Sequence, residues 1–210
     1  MLTLHNFSKQ YGSTPILQIP TLDLTPGIHW IQGKNGSGKS TLLKILAGLL
    51  HFKGTVTLEN TIDLKKHPMN YRRLVNFAES EPAFPAFFTG WDMIKLFTNA
   101  KKASQEQLSR YINGFHMQDY LGDPLAAYSA GMIKKLSLVL AFLGNPKLIL
   151  LDEPFITLDN NALNVLAQWM KESYEQKEVN FIITSHQTIP IAIPIHHTFI
   201  LANRTLTHSN

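Results

Sequence analysis

The chain has 210 residues, 44% of them hydrophobic and 16% charged, which is typical of a globular protein with a sizeable core and excludes a disordered chain. Its formal net charge is +4, but the basic residues are spread along the sequence, so no nucleic-acid partner is expected. No cysteine is present, which excludes disulfides and cysteine-based metal sites. The first residues lack the pattern of a secretory signal, and the longest apolar run, 138–143, is far shorter than the ~20 residues that span a bilayer. We therefore expect a soluble chain that reaches a membrane only through a partner.

The first part of the chain alternates between strand and helix patterns. Segment 27–33 is apolar and β-prone, and segment 37–50 places leucines and an isoleucine at helical spacing. Segments 54–60 and 74–79 are typical of short strands. This part of the chain is therefore predicted to be α/β.

From about residue 85 the pattern becomes helical. The predicted helices are 90–100, 104–114 and 130–145. In the second helix, Ser104 and Gln107 have the spacing of a capping box, and Gly114 is expected just past the helix end. Pro146 is expected to stop the third helix.

Strands and helices alternate again after residue 145. The predicted elements are a buried strand at 147–154, a helix at 161–176, a strand at 179–186 and a hairpin at 197–208. The turn of the hairpin is predicted at Asn203 and Arg204. We expect a single domain over 1–210, with an α/β core formed by about 1–84 and 146–210 and a helical subdomain at about 85–145 inserted into it.

A glycine-rich segment, GKNGSGKST, links the strand predicted at 27–33 to the helix that follows. Gly33, Gly38, Lys39 and Ser40 satisfy the pattern G-x-x-x-x-G-K-[ST] in the strand–helix context that a phosphate-binding loop requires. Glycines let successive N–H groups turn toward an anion, and the helix N-terminus adds partial positive charge. Lys39 is predicted to reach the β- and γ-phosphates of a nucleotide, and Ser40 to ligate Mg²⁺. The predicted nucleotide-binding residues are Gly33, Lys34, Asn35, Gly36, Ser37, Gly38, Lys39, Ser40 and Thr41.

Two acidic residues, Asp152 and Glu153, follow the buried strand pattern LILL. Ligands of open α/β sheets lie at the carboxyl ends of the strands, and neighbouring strand residues point in opposite directions. The two carboxylates are therefore predicted to act separately, Asp152 on Mg²⁺ and Glu153 on an attacking water. A solvated acidic turn is the alternative, and the phosphate loop in the same chain favours the catalytic interpretation.

Five motifs stand in one order along residues 11–186: GKNGSGKST, YSAGM, LILLDEP, ITLD and the histidine after FIITS. In this order they resemble the ATP-binding cassette (ABC) ATPases. The resemblance implies an α/β fold, a P-loop NTPase core with a mixed sheet and an inserted α-helical subdomain, and hydrolysis of ATP with Mg²⁺. It also implies a head-to-tail dimer, formed with a second copy or a paralogous cassette, that powers an integral membrane permease from the cytoplasmic face.

The resemblance assigns roles to residues outside the phosphate loop. Tyr11 matches the aromatic that stacks on adenine, and His186 matches the histidine that contacts the γ-phosphate. The residues expected to contact ATP across the dimer are Ser129, Ala130, Gly131 and Asp159. Ser129 and Asp159 also fit helix N-caps, and a residue can serve as both a cap and a contact.

Two motifs depart from the family pattern. Glu79 stands where a glutamine usually meets Mg²⁺, although the alignment also permits Glu81, and a carboxylate adds a negative charge while still offering an oxygen. The second motif is the family's signature, usually Leu-Ser-Gly-Gly-Gln and here YSAGM at 128–132. In this signature Ala130 replaces a glycine and Met132 replaces a glutamine, whose hydrogen bonds a methionine is not expected to make. The form Tyr-Ser-x-Gly-Met resembles cassettes of exporters with separate permease chains.

Other functions stay open at this point. A soluble, non-transport ABC ATPase usually carries a coiled-coil insert or two cassettes, and neither is present in this sequence. A small-molecule kinase would need an acceptor site and a lid, and would not need YSAGM. A degenerate cassette that binds ATP but hydrolyses it poorly is compatible with Glu79 and Ala130, whereas Lys39 and Glu153 argue against it.

Overall fold

Two β-sheets and the helices packed on them make up the structure, a computed structural model that describes residues 1–209. The strands are β1 Leu2–Tyr11, β2 Thr14–Leu24, β3 Ile28–Gln32, β4 Lys53–Leu58, β5 Ile62–Asp63, β6 Val75–Ala78, β7 Leu148–Asp152, β8 Asn180–Ser185, β9 His197–Ala202 and β10 Thr205–His208. The helices are α1 Lys39–Leu46, α2 Pro68–Leu74, α3 Gly90–Lys101, α4 Gln105–Gly114, α5 Ala130–Phe142 and α6 Asn160–Lys177, with a 3₁₀ turn at Leu125–Ala127. Within the described range, none of the helices is both long and apolar enough to cross a bilayer.

The central sheet has the order β10-β9-β3-β8-β7-β6 and is parallel except for β10, which pairs antiparallel with β9. Every residue of β7 and β8 is buried, as their continuous apolar runs predict for strands covered on both faces. The register pairs Asp152 with Thr184, and Gln32 with Ser185. The ends of β3, β7 and β8 therefore meet at one edge of the sheet.

The second sheet is antiparallel, in the order β2-β1-β4-β5, and its two longest strands, β1 and β2, were not predicted from the sequence. In β1 the register shifts between His5 and Ser8, and Asn6 adopts a left-handed φ of 48°. This irregularity breaks the apolar–polar alternation that identifies a half-buried strand. Apolar residues of this sheet, of α1 and of one face of the central sheet form one core cluster.

The chain leaves the central sheet after β6 and returns at β7, and α3, α4 and α5 lie between, in agreement with the predicted helical segments. The predicted Ser104–Gln107 capping box is present at the start of α4. Helix α5 ends at Phe142, before the predicted limit, where the buried Asn76 side chain donates to the carbonyls of Ala141 and Leu143. The limits 85 and 145 of the helical subdomain stay a prediction.

Gly114 was wrongly predicted to follow α4, since it is the last residue of that helix and its φ is not left-handed. A Cβ at this position would lie 2.6 Å from Cζ2 of Trp169. Glycine is therefore required for close packing of α4 on α6. The hairpin turn was predicted correctly, with φ of 49° at Asn203 and 70° at Arg204 between β9 and β10.

Candidate nucleotide-binding site

The predicted phosphate loop connects β3 to α1 at the carboxyl edge of the central sheet. Gly36 and Gly38 have φ of 77° and 104°, a backbone conformation that side chains disfavour. At Gly33 a Cβ would lie 2.7 Å from the carbonyl oxygen of Leu201 and 2.6 Å from the hydroxyl of Ser37. The glycines of the motif are therefore required by the backbone itself, and the loop ends at the N-terminus of α1, where free N–H groups favour an anion.

Lys39 is the first residue of α1 and is only 6% exposed. Its Nζ donates to the carbonyl of Gly33 at 2.7 Å and to that of Lys34 at 3.3 Å. The same Nζ lies 3.8 Å from Oε1 of Glu153. The structure therefore brings the loop lysine and the predicted catalytic glutamate together, although 114 residues separate them in the chain (153 − 39).

Asp152 ends β7 and is 1% exposed. Its Oδ1 accepts a hydrogen bond of 2.6 Å from Oγ1 of Thr184 on the neighbouring strand, whereas Oδ2 is buried without a protein partner. A buried carboxylate oxygen that lacks a partner is unfavourable, and a hydrated cation would satisfy it. Ser40, on the exposed side of α1, adds a hydroxyl, and oxygen donors of this kind suit Mg²⁺.

Glu153 follows β7 with a left-handed φ of 46°. Its N–H donates to the carbonyl of Thr184 at 3.1 Å, and its own carbonyl accepts from Nζ of Lys134 at 3.1 Å. The carboxylate Oε1 lies 2.9 Å from Nδ1 of His186, the residue that follows β8. The three residues predicted to be catalytic, Lys39, Glu153 and His186, thus meet at a single carboxylate oxygen.

Glu79 follows β6 at the same sheet edge, and its Oε2 forms a salt bridge of 3.2 Å with Nζ of Lys44 on α1. Both side chains are about a third exposed, so this pair contributes little to stability. It does offset the negative charge that distinguishes Glu79 from the usual glutamine. The role of Glu79 as a metal ligand, and its choice over Glu81, stay predictions.

The residues predicted to act across a dimer lie at the N-termini of α5 and α6. Ser129 caps α5, and its Oγ accepts from the N–H of Met132 at 3.2 Å. The Met132 sulfur, a weak acceptor, in turn accepts from the N–H of Ser129 at 3.5 Å. That a methionine does not make the hydrogen bonds of a glutamine at this position stays a prediction. Ser129 and Ala130 are exposed, which leaves the N-terminus of α5 accessible.

Asp159 is the N-cap of α6, as the sequence suggested. Its Oδ1 accepts from the N–H of Ala162 at 2.8 Å, and its Oδ2 pairs with Nζ of Lys135 at 2.9 Å. These bonds, first the one from the Ala162 backbone and then the one from Lys135, lower the pKa of Asp159. The carboxylate therefore stays ionised, and it links α6 to α5.

Tyr11 lies at the tip of the β1–β2 hairpin and is 49% exposed, with Nζ of Lys9 at 4.7 Å from its ring centroid. The hairpin adjoins the phosphate loop, because a Cβ at Gly38 would lie 3.1 Å from Leu17 and 3.2 Å from Ile16 of β2. The exposed ring is therefore available to stack on a base.

Sequence reasoning missed three residues that hold this site, namely Lys44, Lys134 and Thr184. Lys134 offered a signal, because it precedes the apolar Leu138 and Ala141 by four and seven residues, on the same face of α5. Thr184 and Lys44 offered no signal in the sequence. Thr184 contacts Asp152 because of the register of their strands, and Lys44 pairs with Glu79 because the fold brings the two side chains together.

A glycine-rich loop between strand and helix, with a buried aspartate and a glutamate at the carboxyl edge of a mostly parallel sheet, defines a P-loop nucleotide-binding protein. The ABC transporter family matches residues 17–156, and the chain belongs to this family. The predicted resemblance to ABC ATPases is thus confirmed.

Several relatives are ATP-binding proteins of transporters. The chain is 31% identical over 192 residues to the ABC transporter ATP-binding protein YdbJ of Bacillus subtilis, covering 89% of this chain but 61% of YdbJ. It is 27% identical over 188 residues to the lantibiotic transport ATP-binding protein SrtF of Streptococcus pyogenes, covering 89% of this chain and 80% of SrtF. It is 29% identical over 196 residues to the cytochrome c biogenesis ATP-binding export protein CcmA of Haemophilus influenzae, covering 90% of both.

Solved structures confirm the fold class. An ATP-binding subunit of an ABC transporter matches with a TM-score of 0.88 and 25% identity, covering 100% of this chain and 89% of that chain. A dimeric, post-hydrolysis ATP-binding cassette bound to ADP and Pi matches with a TM-score of 0.81, covering 100% of this chain and 98% of that chain. At 21% identity, the second likeness supports the fold alone.

Proposed function

We propose that the chain hydrolyses ATP. The observation that carries this proposal is the meeting of Glu153, His186 and Lys39 beside the phosphate loop, with His186 Nδ1 at 2.9 Å and Lys39 Nζ at 3.8 Å from the same carboxylate oxygen. A carboxylate placed there orients a water toward the γ-phosphate and accepts its proton. The imidazole of His186 holds the same carboxylate, and we propose that it also contacts the γ-phosphate.

The nucleotide is held by the segment Gly33–Thr41, whose N–H groups and Lys39 bind the phosphates, and by Tyr11, which stacks on adenine. Ser40 and Asp152 are the residues that would hold Mg²⁺, with Glu79 as a further oxygen donor. When bound, the cation neutralises charge that develops on the phosphates. The buried, unpartnered Oδ2 of Asp152 supports this assignment.

Steady-state release of phosphate from MgATP tests the proposal. The wild-type chain should release phosphate. Lys39→Ala should weaken nucleotide binding by ten-fold or more, as measured with a fluorescent ATP analogue. The reason is that it removes the only ammonium, among residues 1–209, that is bonded to the carbonyls of the phosphate loop. Lys171→Ala, on the exposed side of α6, is the matched control. A wild-type chain that binds ATP but does not turn it over would favour a degenerate cassette.

We infer that two chains, identical or paralogous, pack head to tail around two ATP molecules. The accessible N-terminus of α5 supports this inference, because its free N–H groups at Ala130 and Gly131 suit an anion that is not the chain's own nucleotide. Gly131 lies close to the loop before α6, where a Cβ would be 3.1 Å from the carbonyl of Thr157. The signature and Asp159 therefore form one continuous surface for the partner.

We further infer that the dimer powers a membrane permease, and that the direction is export. The name of SrtF, a lantibiotic transport ATP-binding protein, supports a role in transport, and that of CcmA, a cytochrome c biogenesis ATP-binding export protein, supports export. A groove of about 570 Å³ supplies a docking place beside Glu79, with apolar Leu49 and Met69 exposed at its wall and Arg72 and Arg73 at its rim. It fits a short apolar segment of the permease that carries acidic residues, and it would place the chain at the inner face of the membrane.

Co-purification with the permease tests the docking place. Met69→Asp should release the permease, because it puts a charge where the groove is apolar. Leu96→Asp is the control, since Leu96 is similarly exposed on α3 but outside the groove. ATPase activity that no membrane fraction changes, together with a chain that never co-purifies with a permease, would instead favour a soluble ABC ATPase.

A further inference from the structure

Lys134 is a buried lysine that bonds to backbone carbonyls of two separate segments at the nucleotide site. It lies on α5, after the signature residues, and is 2% exposed. Its Nζ donates to the carbonyl of Ser80 at 2.7 Å, to that of Glu79 at 3.0 Å and to that of Glu153 at 3.1 Å. An ammonium has three N–H donors, so all of them are used.

The burial of this ammonium is unfavourable unless its charge is compensated. Burial lowers the pKa of Lys134 to about 8, and the nearby carboxylates of Asp152, Glu153 and Glu81 act in the opposite direction and favour the charged form. The three carbonyls accept the hydrogen bonds of the ammonium. An apolar side chain of similar size would be buried at this position without this cost. Core packing therefore does not explain a lysine at this position, whereas its hydrogen bonds to the three backbone carbonyls do.

One of the groups it holds is the backbone of Glu153. The left-handed φ of 46° is unfavourable by ~1 kcal/mol or more for a residue with a side chain. Two hydrogen bonds fix it, from its N–H to Thr184 and from Lys134 to its carbonyl. This conformation directs the carboxylate to His186 and Lys39.

We propose that Lys134 is a positioning residue for ATP hydrolysis, which holds the Glu153 backbone and the Glu79–Ser80 segment so that the Glu153 carboxylate stays beside the phosphate loop. This proposal rests on the proposed ATPase function. Lys134 bonds to no side chain of the site among residues 1–209, so it acts through the backbone that presents them. It also joins the helix of the signature to the chain's own site.

The test is Lys134→Met, which keeps the length of the side chain and removes all three N–H donors. A misplaced carboxylate should lower kcat about 100-fold, with the Kd for the ATP analogue within about three-fold of wild type. Because hydrolysis is lost and nucleotide binding is kept, ATP should trap the variant as a dimer, as measured by light scattering. A lysine that only supports the fold would not produce this separation of kcat from binding.

Two further variants complete the experiment. Lys134→Gln retains two N–H donors and should recover part of the lost kcat. Lys65→Met is the control, since Lys65 also donates to a backbone carbonyl, that of Gly54 at 2.6 Å, but follows β5 in the antiparallel sheet. It should keep the wild-type kcat.

An unchanged kcat in folded Lys134→Met would overturn the proposal, and so would an equal loss of nucleotide affinity or the loss of the ATP-driven dimer. If the methionine variant does not fold, as judged by circular dichroism, Lys134→Gln decides: a reduced kcat with intact binding supports the proposal, and a wild-type kcat overturns it. Failure of the ATPase function itself is seen separately, in a wild-type chain that releases no phosphate.

Discussion

Glu153 and His186 face each other across two adjacent strands, with Oε1 and Nδ1 2.9 Å apart although 33 residues separate them in the chain. Glu153 follows β7 and His186 follows β8, and these strands are parallel neighbours. Parallel strands end at the same edge, so the two side chains meet there together with Lys39 of the phosphate loop. The roles of Glu153 and His186 can be tested separately by substituting one residue at a time.

Glu153→Gln should abolish turnover while ATP binding persists. The amide keeps the shape of the side chain but cannot accept a proton from water, and loss of a positioned base costs about 10²–10⁴-fold in rate. Because ATP then stays bound, the variant should accumulate as a dimer, visible by light scattering. Unimpaired phosphate release would contradict the assignment of Glu153.

His186→Ala should lower kcat by ~10²-fold or more and leave the affinity for ATP nearly unchanged. The substitution removes the imidazole that holds the Glu153 carboxylate, while the loop Gly33–Thr41 is untouched. Single-turnover phosphate release and nucleotide titration separate the two effects. His116→Ala is the control, since His116 lies in the turn after α4. A loss confined to nucleotide affinity would place His186 in binding and not in hydrolysis.

Ser129→Arg should spare ATP binding and prevent ATP-driven dimerisation, because it puts a bulky side chain on the surface predicted to meet the partner's ATP. It also removes an N-cap, which costs ~1 kcal/mol of stability. Ser104→Arg is a matched control, since Ser104 caps α4 in the same way but lies outside the signature. Dimer formation by the Ser129 variant in the presence of ATP would refute the predicted contact between Ser129 and the partner's ATP.

Gly114→Ala should destabilise the fold by about 1–3 kcal/mol, because the added methyl group would lie 2.6 Å from the Trp169 ring. Urea denaturation measures the change in the free energy of unfolding. Gly122→Ala provides the comparison, since no atom lies within 4 Å of a Cβ at Gly122 and its φ is not left-handed. Equal stability of the two variants would disprove the close packing of α4 on α6.

The buried His29 makes stability depend on pH. Burial lowers the pKa of His29 from 6.5 to about 4. Its hydrogen bond to the carbonyl of Thr25 raises this pKa by a smaller amount, and the charges of His197 and His196 lower it further. Below pH 6.5 the imidazole of His29 is protonated in the unfolded chain but stays neutral in the folded chain. The contribution of His29 to the stability of the fold is therefore highest above pH 6.5, and it decreases as the pH falls from 6.5 toward 4. The loss is up to about 3 kcal/mol.

His29→Phe should remove this dependence. Urea titrations of both proteins at pH 7 and pH 4.5 give the change in the free energy of unfolding, and the variant should lose about 2 kcal/mol less than the wild type over that interval. Identical losses would show that His29 is not the responsible group.

The local pattern of the sequence was enough to predict most elements around the site. The alternating or continuous apolar runs identify β3, β6, β7 and β8, and the spacing of Gly33, Gly38 and Lys39 identifies the loop, because each signal depends only on neighbours in the chain. The strand β1 was missed, since the bulge near Asn6 breaks the alternation and its partner β4 is distant in sequence. The strand β2 was missed although it pairs with the adjacent β1, since Pro15 and Pro20 are unfavourable within a strand pattern.

By itself, the sequence determined which residue types stand at each strand end: a phosphate loop after β3, two successive acids at the end of β7 and a histidine after β8. Only the tertiary structure decided which of them touch, since strand order and register bring Glu153 to His186, and Asp152 to Thr184. The same holds for Lys134, whose three carbonyl partners lie 19 to 55 residues away. Burial selects these contacts, because a charge without water must bond to whatever the packed chain places within reach.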